Sequence, residues 1–547
     1  MDFSKILDYV TPQGFKDIIK NLQVRISDLI DQNEELFSES EKLKKRNQEL
    51  EDQIRILKGE KPVPKFKESK DLTSDENKPD KNKKKDKKVR SPRRKKINLT
   101  IDKTVELKVD RSKLPVGAIH KGYRQISIQE ILFERHNICF NIERFLDPVT
   151  GKIIEADIPS EYKGNEFGPT LRSFIIAQYF ESDSTHFKIK NQLAGIDIDI
   201  SKSQINNILL NSSKQFEDEL AELREIALEK EDYQQIDDTS WKILNEKSCY
   251  TIVTGNKFFT QFATVGSKSR HAAIFALSGK KEPLYRLNEL AIDYAIGPNS
   301  SLELLMFLRR KMSDKIYNQD ELKILFSSDE FNNLSRARLR DIRTGMYLAA
   351  FRGGDLGLVG NALMSDDAPQ FKYIYDDHAL CWIHELRHYK LIEAFHLENK
   401  LKLEKFIKSV WILYRIIKLA QKSLTEKRSR MVLKIFNYLF DPDKKTGFKT
   451  LDKQRALSFL KAEKLLASLW NKKLPVHNNG SELDVRGKVI KRKISLFNKS
   501  KRGAKAWDTY LGLSESCRKL KVNFYQKVLK TFKKVPQMSL GSMVVST

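Results

Sequence analysis

The sequence predicts a multidomain α+β protein on three observations. A leucine heptad lies near the N-terminus, a strand-period stretch beginning near residue 231 carries an acidic pair, and a strongly helical run covers 380–470. A chain of 547 residues, 40% of them hydrophobic, can build several cores rather than one. Its 100 Lys and Arg against 73 Asp and Glu leave a net charge of +27. That excess favours a polyanionic partner, because each neutralised phosphate releases counterions.

The heptad spans 15–58. Leu22, Leu29, Leu36, Leu43, Leu50 and Leu57 fall on d positions, with Ile19, Ile26, Asn33, Ser40, Asn47 and Ile54 on a positions. Asn at a costs stability but fixes register, so this is read as a parallel leucine-zipper coiled coil joining two or more copies. Residues 59–97 are a basic linker expected to be disordered, poor in large apolar residues. Eleven basic residues and one acid, Asp86, fall within 81–96, enough to follow DNA phosphates.

Residues 98–160 alternate apolar and polar side chains and are expected to be β-rich, with "DPVTGK" as a hairpin turn. Residues 161–230 turn helical. Gly168 and Pro169 open one helix, Gly195 stops the next, and Ser201 or Ser203 caps a third, an order like that of a helix-turn-helix. Residues 231–380 read as strands followed by mixed, mostly helical segments, 381–473 as strongly helical, and 474–547 as a basic tail with a last amphipathic helix.

Several classes drop out. The cysteines Cys139, Cys249, Cys381 and Cys517 are too few and too scattered for a disulfide framework, which fits a reducing cytosol. The N-terminus is too acidic and polar for a signal peptide, and the apolar stretch 410–420 is broken by Arg415 and Lys418, so no membrane association is expected.

Chemistry concentrates in the second half. Asp237 and Asp238 lie in a strand-like run, where charge is costly unless it sits at an edge or meets a cation. "ALMSDD" is a second apolar run ending in acids, Asp366 and Asp367. Two strands of one sheet that each end in Asp can join their carboxylates, a hard-oxygen site for Mg²⁺ or Mn²⁺. Two such ions about 4 Å apart serve in-line displacement at phosphorus. Cys381 and His384 form a CxxH pair, with His388 at helical spacing, but a buried thiol beside hydrogen-bonded histidines explains them, and no structural zinc is expected. Glu482 follows a turn, with Ser481 as a candidate cap. The cations Arg486, Lys488, Lys491, Arg492, Lys493, Lys499, Lys501 and Arg502 around it suit a DNA track.

The segment "NNGSELDVRGKVIKRKISLFNKSKRGAKAW" resembles the C-terminal signature of insertion-sequence-66-type transposases, with Asn478, Asn479, Glu482, Arg486, Arg492, Lys493, Leu496, Phe497, Ser500, Arg502 and Gly503 at matching offsets. "QIDDTSW", "LMSDDAPQF" and "CWIHELRHY" are similar to further family segments, as are "LPVGAIHKGYR", "EFGPTLRSFIIAQYFESDSTHFKIKNQLA" and the leading coiled coil. The resemblance implies a ribonuclease-H-like α/β catalytic core of DDE type, with Asp237, Asp366 and Glu482 as catalytic and metal-holding residues. Asp238 and Asp367 are neighbouring candidates, and Asn479, Arg486, Arg492, Lys493 and Arg502 would face DNA. It implies two Mg²⁺ or Mn²⁺ ions per site, cleavage at element ends, and strand transfer into target DNA.

The expected partners are double-stranded DNA, a second or further copy through the coiled coil, and accessory transposition proteins, in a cytoplasmic, nucleoid-associated setting. The alternatives are a catalytically silent DNA-binding regulator and a nuclease without joining activity. Two departures stand out. The family's paired CxxC motifs are absent, with only Cys139 in that region, so the β-rich stretch would replace a zinc-binding element. The 115 residues between Asp366 and Glu482 require an insertion, and the stretch from Asp237 to Asp366 is longer than usual.

Overall fold

The computed structural model describes residues 100–546 except 115–117, 119–122, 232, 247, 297–300 and 424. The predicted zipper over 15–58 and linker over 59–97 therefore lie outside the described residues. By its contacts the chain divides into Met1–Gln129 and Glu130–Thr547. In the first unit the described residues hold one 3₁₀ turn, Arg111–Lys113, and are exposed where burial is described.

The second unit opens with a short hairpin, β1 (Arg144–Leu146) against β2 (Ile153–Glu155). Its turn is the predicted one: Asp147 takes the Val149 N–H at 2.9 Å, and Gly151 supplies the left-handed φ of 66°. Otherwise the described part of 98–160 is irregular, which corrects the expected β-rich region. Alternation gives strand propensity, but a strand needs a neighbour to take its backbone hydrogen bonds, and Ile126, Ile128, Ile131 and Leu132 face solvent instead.

Four helices follow: α1 (Pro169–Phe180), α2 (His186–Ala194), α3 (Lys202–Asn211) and α4 (Glu217–Lys230). Pro169 sits in the first turn of α1, and Ser201 caps α3 in a reciprocal capping box with Gln204. The connection 195–201 between α2 and α3 exceeds the roughly three- or four-residue turn of a helix-turn-helix. These helices and the 3₁₀ turn Lys214–Phe216 bury Ile175, Ile189, Leu193 and Phe216 in one cluster with Trp507, Tyr510 and Phe532 from the C-terminal region.

The central sheet has five strands: β3 (Tyr233–Trp241), β4 (Cys249–Gly255), β5 (Thr260–Val265), β8 (Ala362–Ser365) and β9 (Asp377–Leu380), in the order β5-β4-β3-β8-β9. The first three form an antiparallel meander, and β8 and β9 run parallel to β3. Between β5 and β8 lie α5 (Arg270–Leu277), a two-residue ladder of β6 (Tyr285–Arg286) and β7 (Ile316–Tyr317), and helices α6 (Glu289–Ala295), α7 (Leu302–Lys311), α8 (Gln319–Phe326), α9 (Asp329–Asn332) and α10 (Arg336–Arg352). They pack around Tyr285, Phe331, Met346 and Phe351 and account for the extra length between the first two acids.

The helical insertion comprises α11 (Trp382–Lys390), α12 (Leu397–Lys422), α13 (Glu426–Phe440), α14 (Lys449–Leu460) and α15 (Ala462–Leu465). Trp382, Phe436 and Phe440 anchor its separate core, and the Trp382 indole donates to Leu465 O at 2.7 Å. The chain then returns to the sheet as α16 (Asn479–Ser495), α17 (Lys501–Lys519), α18 (Phe524–Phe532) and α19 (Leu540–Ser546). Among the described residues no helix is long and apolar enough to cross a membrane.

Buried charge seats α16. Lys488 is fully buried, pairs with Asp508 of α17 at 2.7 Å, and lies 4.4 Å over the Trp241 ring of β3. Asp508 also takes the Thr264 N–H of β5 at 2.7 Å. One turn earlier, buried Asp484 accepts from Thr260 at 2.8 Å and pairs with Lys519 at 2.7 Å. Removing one partner of such a pair strands a buried charge. Lys488→Ala is therefore expected to lower unfolding free energy by about 3 kcal/mol in urea titrations, whereas Lys493→Ala on the exposed side of the helix changes it by less than about 0.5 kcal/mol.

Candidate functional site

Sheet register brings the first two acids level. Gln235 of β3 pairs with Met364 of β8 in parallel. Two residues further along stand Asp237, in the middle of β3 just past its ladder with β8, and Asp366, just past the carboxyl end of β8. Side chains two apart share a face, so the two carboxylates emerge together. The third acid arrives on a helix. Asn478 donates through Nδ2 to Ile236 O at 2.9 Å, and its backbone N–H meets Cys381 Sγ at 3.2 Å. These contacts tie the start of α16 to β3 and to α11. Gly480 sits so close to Gln235 that a Cβ there would collide with Oε1 of that side chain. Glu482 consequently lies in the first turn of α16, as expected, although Ser481 is buried inside the helix and is not the cap.

The electrostatics record this convergence. Burial pushes the Asp237 carboxyl up to about 8; the Asp238 N–H opposes that, and the charges of Asp366, Glu482 and Asp238 reinforce it. Asp366 is raised by burial and by Asp238 and Asp367, against the Ala368 N–H and Lys268. The neighbouring acids are placed differently. Asp238 pairs with Lys268 at 2.8 Å and accepts from Gln370 at 2.6 Å. Asp367 pairs with Lys372 and with Lys461, each at 2.9 Å; burial would raise it, but the two lysines hold it below the usual carboxylate range. Asp366 is thus the acid at this strand end that is not bound into a lysine pair.

Glu482 is held from α11. Its Oε2 lies 3.1 Å from Arg387 Nη2 and its Oε1 3.3 Å from His384 Nδ1. Donor atoms of Cys381, His384 and Glu482 all lie within 4.8 Å of one another. The Cys381 thiol is buried and pushed up to about 12, and it already accepts from Asn478. His384 takes a guanidinium N–H from Arg387 on Nε2 at 2.9 Å. Cys381 Sγ and His384 Nε2 thus have hydrogen-bond partners, whereas His384 Nδ1 and Glu482 Oε1 have none. His388, one turn further along α11, is exposed.

The predicted DNA track divides. Lys493 and Arg486 are exposed, and Asn479 is half-buried at the start of α16. Arg492 is turned onto β3, donating to Ser240 Oγ at 2.8 Å and Thr239 Oγ1 at 3.3 Å. Arg502 donates to Asn211 of α3 at 2.7 Å. Lys488 and Lys491 leave the track altogether. Lys491 is buried over the Tyr179 ring at 3.6 Å, and its ammonium is lowered to about 8 by desolvation. Helical periodicity decides this, since positions 488 and 491 face inward. Arg387, Lys268 and Gln370 received no role from sequence. Only Arg387 carried a signal, its place in "CWIHELRHY".

The profile of the family described as "Transposase IS66 family" matches residues 343–506, which include Asp366 and Glu482. The uncharacterized protein y4jO of Sinorhizobium fredii (strain NBRC 101917 / NGR234) is 30% identical over 294 residues, covering 54% of this chain and 89% of that relative. No solved structure matches the chain. With a relative covered over nearly its whole length and a profile spanning two of the three converging acids, the chain belongs to the IS66 transposase family.

Proposed function

We propose that this chain is a DDE-type transposase that cleaves DNA at element ends and joins the freed ends to target DNA. The observation that carries the reading is the placement of Asp237 and Asp366 level on adjacent parallel strands, with Glu482 brought to them by α16. A five-stranded sheet with its second strand antiparallel and its last two parallel to the first supports a ribonuclease-H-like core.

The donor set fits hard divalent cations, Mg²⁺ or Mn²⁺, since it consists of carboxylate oxygens. Three crowded acids, one of them raised to about 8, gain stability when positive charge enters. Asp237, Asp366 and Glu482 would hold two ions. Once bound, the ions supply activation of the attacking oxygen and charge stabilisation at the leaving oxygen. The protein's own part is positioning. The sheet fixes two carboxylates, α16 fixes the third, and exposed cations such as Lys493 and Arg486 would set phosphates against them. The zipper predicted over 15–58 would pair two copies, so that two ends are handled together.

The test is strand cleavage and joining by the full chain with Mg²⁺ and duplexes carrying the element's ends. Asp237→Ala, Asp366→Ala and Glu482→Ala should each depress both steps by about a thousandfold or more while duplex binding stays within about threefold of the parent. Full cleavage by Glu482→Ala overturns the assignment. Asp367→Asn, which removes a lysine-paired acid, should retain activity.

A pH prediction follows from Asp237. Its carboxyl in the folded state sits at about 8, above that of an unfolded chain, so the folded protein holds the extra proton. Stability without metal is then greatest at low pH from this group and falls as pH rises through about 8. Melting temperature measured in chelator across this range should decline, and Asp237→Asn should flatten that part of the slope.

A further inference from the structure

Charge is unevenly distributed among the acids at this site. Asp238 and Asp367, the two neighbours, carry lysine partners. Of the three converging acids, Glu482 alone forms an ion pair among the described residues, and its partner is Arg387. Arg387 also bonds His384, so one guanidinium joins the histidine to the acid. A guanidinium has only donors, so at 2.9 Å the His384 Nε2 must be the acceptor. A neutral imidazole with Nε2 accepting carries its proton on Nδ1, which lies 3.3 Å from Glu482 Oε1 without forming a hydrogen bond to it. Arg387 donates to Oε2 at 3.1 Å. Of the two Glu482 oxygens, Oε2 is thus held by Arg387, while Oε1 lies near His384 without a hydrogen bond.

We propose that Arg387 is a resident counter-ion for Glu482, which a divalent cation must displace to bind. This rests on the reading of Glu482 as a metal-holding acid. Two physical arguments give the direction. A metal competes for an oxygen that Arg387 already occupies, and a fixed positive charge about 3 Å from a ligand oxygen repels an incoming cation. The lost preorganisation of the carboxylate acts the other way but leaves the first turn of α16 in place, because Asn478 and the close approach at Gly480 hold that turn independently of Arg387. Displacement also has a consequence for DNA. The freed guanidinium stays on α11 beside the acid cluster, where it can take up a phosphate oxygen. Metal entry and strand capture are thereby coupled through one side chain.

The experiment is Mn²⁺ binding to the full chain without DNA, followed by loss of the free-ion paramagnetic resonance signal. Arg387→Met and Arg387→Gln both remove the charge, and Gln keeps a donor for His384. Each should bind Mn²⁺ about tenfold more tightly than the parent, while Arg387→Lys stays near it. In a second arm, Ca²⁺ should strengthen binding of a duplex by the parent and do so less in Arg387→Gln. If Arg387→Met misfolds by its melting curve, Arg387→Gln decides the matter. Unchanged or weaker Mn²⁺ binding by the Gln variant overturns the proposal. Glu482→Gln separates the two levels. If Glu482→Gln binds Mn²⁺ less tightly and the Arg387 variants do not differ from the parent, the counter-ion role fails alone. If Glu482→Gln binds as the parent does, the metal role of Glu482 fails, and the counter-ion with it.

Discussion

The site depends on one constraint, the seating of α16 against the sheet. Strands β3 and β8 align two acids through backbone register alone, but the third is more than a hundred residues downstream and separated from them by a helical insertion. What returns it is a layer of buried polar contacts. Asp484 joins β5 and α17, Lys488 joins Asp508 under Trp241, and Asn478 caps the approach at Ile236. A buried ion pair is a poor source of net stability, since desolvation of both charges offsets much of their attraction. It is a good source of orientation, because a mis-set helix would leave Asp484, Lys488 and Asp508 each without a partner in low dielectric. Specificity of placement is what an acid cluster requires, and a purely apolar contact would tolerate sliding.

That layer also explains why the cluster can persist under strain. Asp237 is raised by burial and by the charges of Asp366, Glu482 and Asp238, and Asp366 by burial and by Asp238 and Asp367, a cost to the fold. The surrounding acids are neutralised: Lys268 sits on Asp238, and Lys372 and Lys461 sit on Asp367. Lys461 belongs to the insertion and also holds buried Glu385 at 3.0 Å. The insertion therefore does more than fill sequence between two acids. It supplies a cation that pairs with Asp367 and, through α11, the arginine that faces Glu482.

Much of this was legible in the residues. Local chemistry read well: Gly168 and Pro169 at the start of α1, the Ser201 cap, the Asp147 turn, and the helical character of 381–473 all appear where short-range rules place them. The acids were found because apolar runs ending in Asp are visible in one dimension, while Glu482 emerged only through a resemblance, since nothing local distinguishes it from other helix acids. Three-dimensional partners were not legible. Lys488 and Lys491 look like any surface cations in "KVIKRK", and only packing against Trp241 and Tyr179 turns them inward. The alternation over 98–160 gave strand propensity without a partner strand, and propensity cannot supply one.

The family profile covers 343–506, yet the fold does not divide there. That span contains β8, the insertion and most of α16 and α17, and it omits β3, β4 and β5. Without β3, Asp366 has no level partner, Asn478 loses Ile236, and the indole over Lys488 is gone. Without β5, Asp484 and Asp508 lose Thr260 and Thr264. Helices α1 to α4 in turn share a core with Trp507, Tyr510 and Phe532. Segments far apart in sequence thus close around one sheet, and each contributes contacts to the elements that carry the acids. The contacts that seat α16 and the acids thus reach back beyond the matched span to β3 and β5, and the core they share reaches to the helices preceding β3.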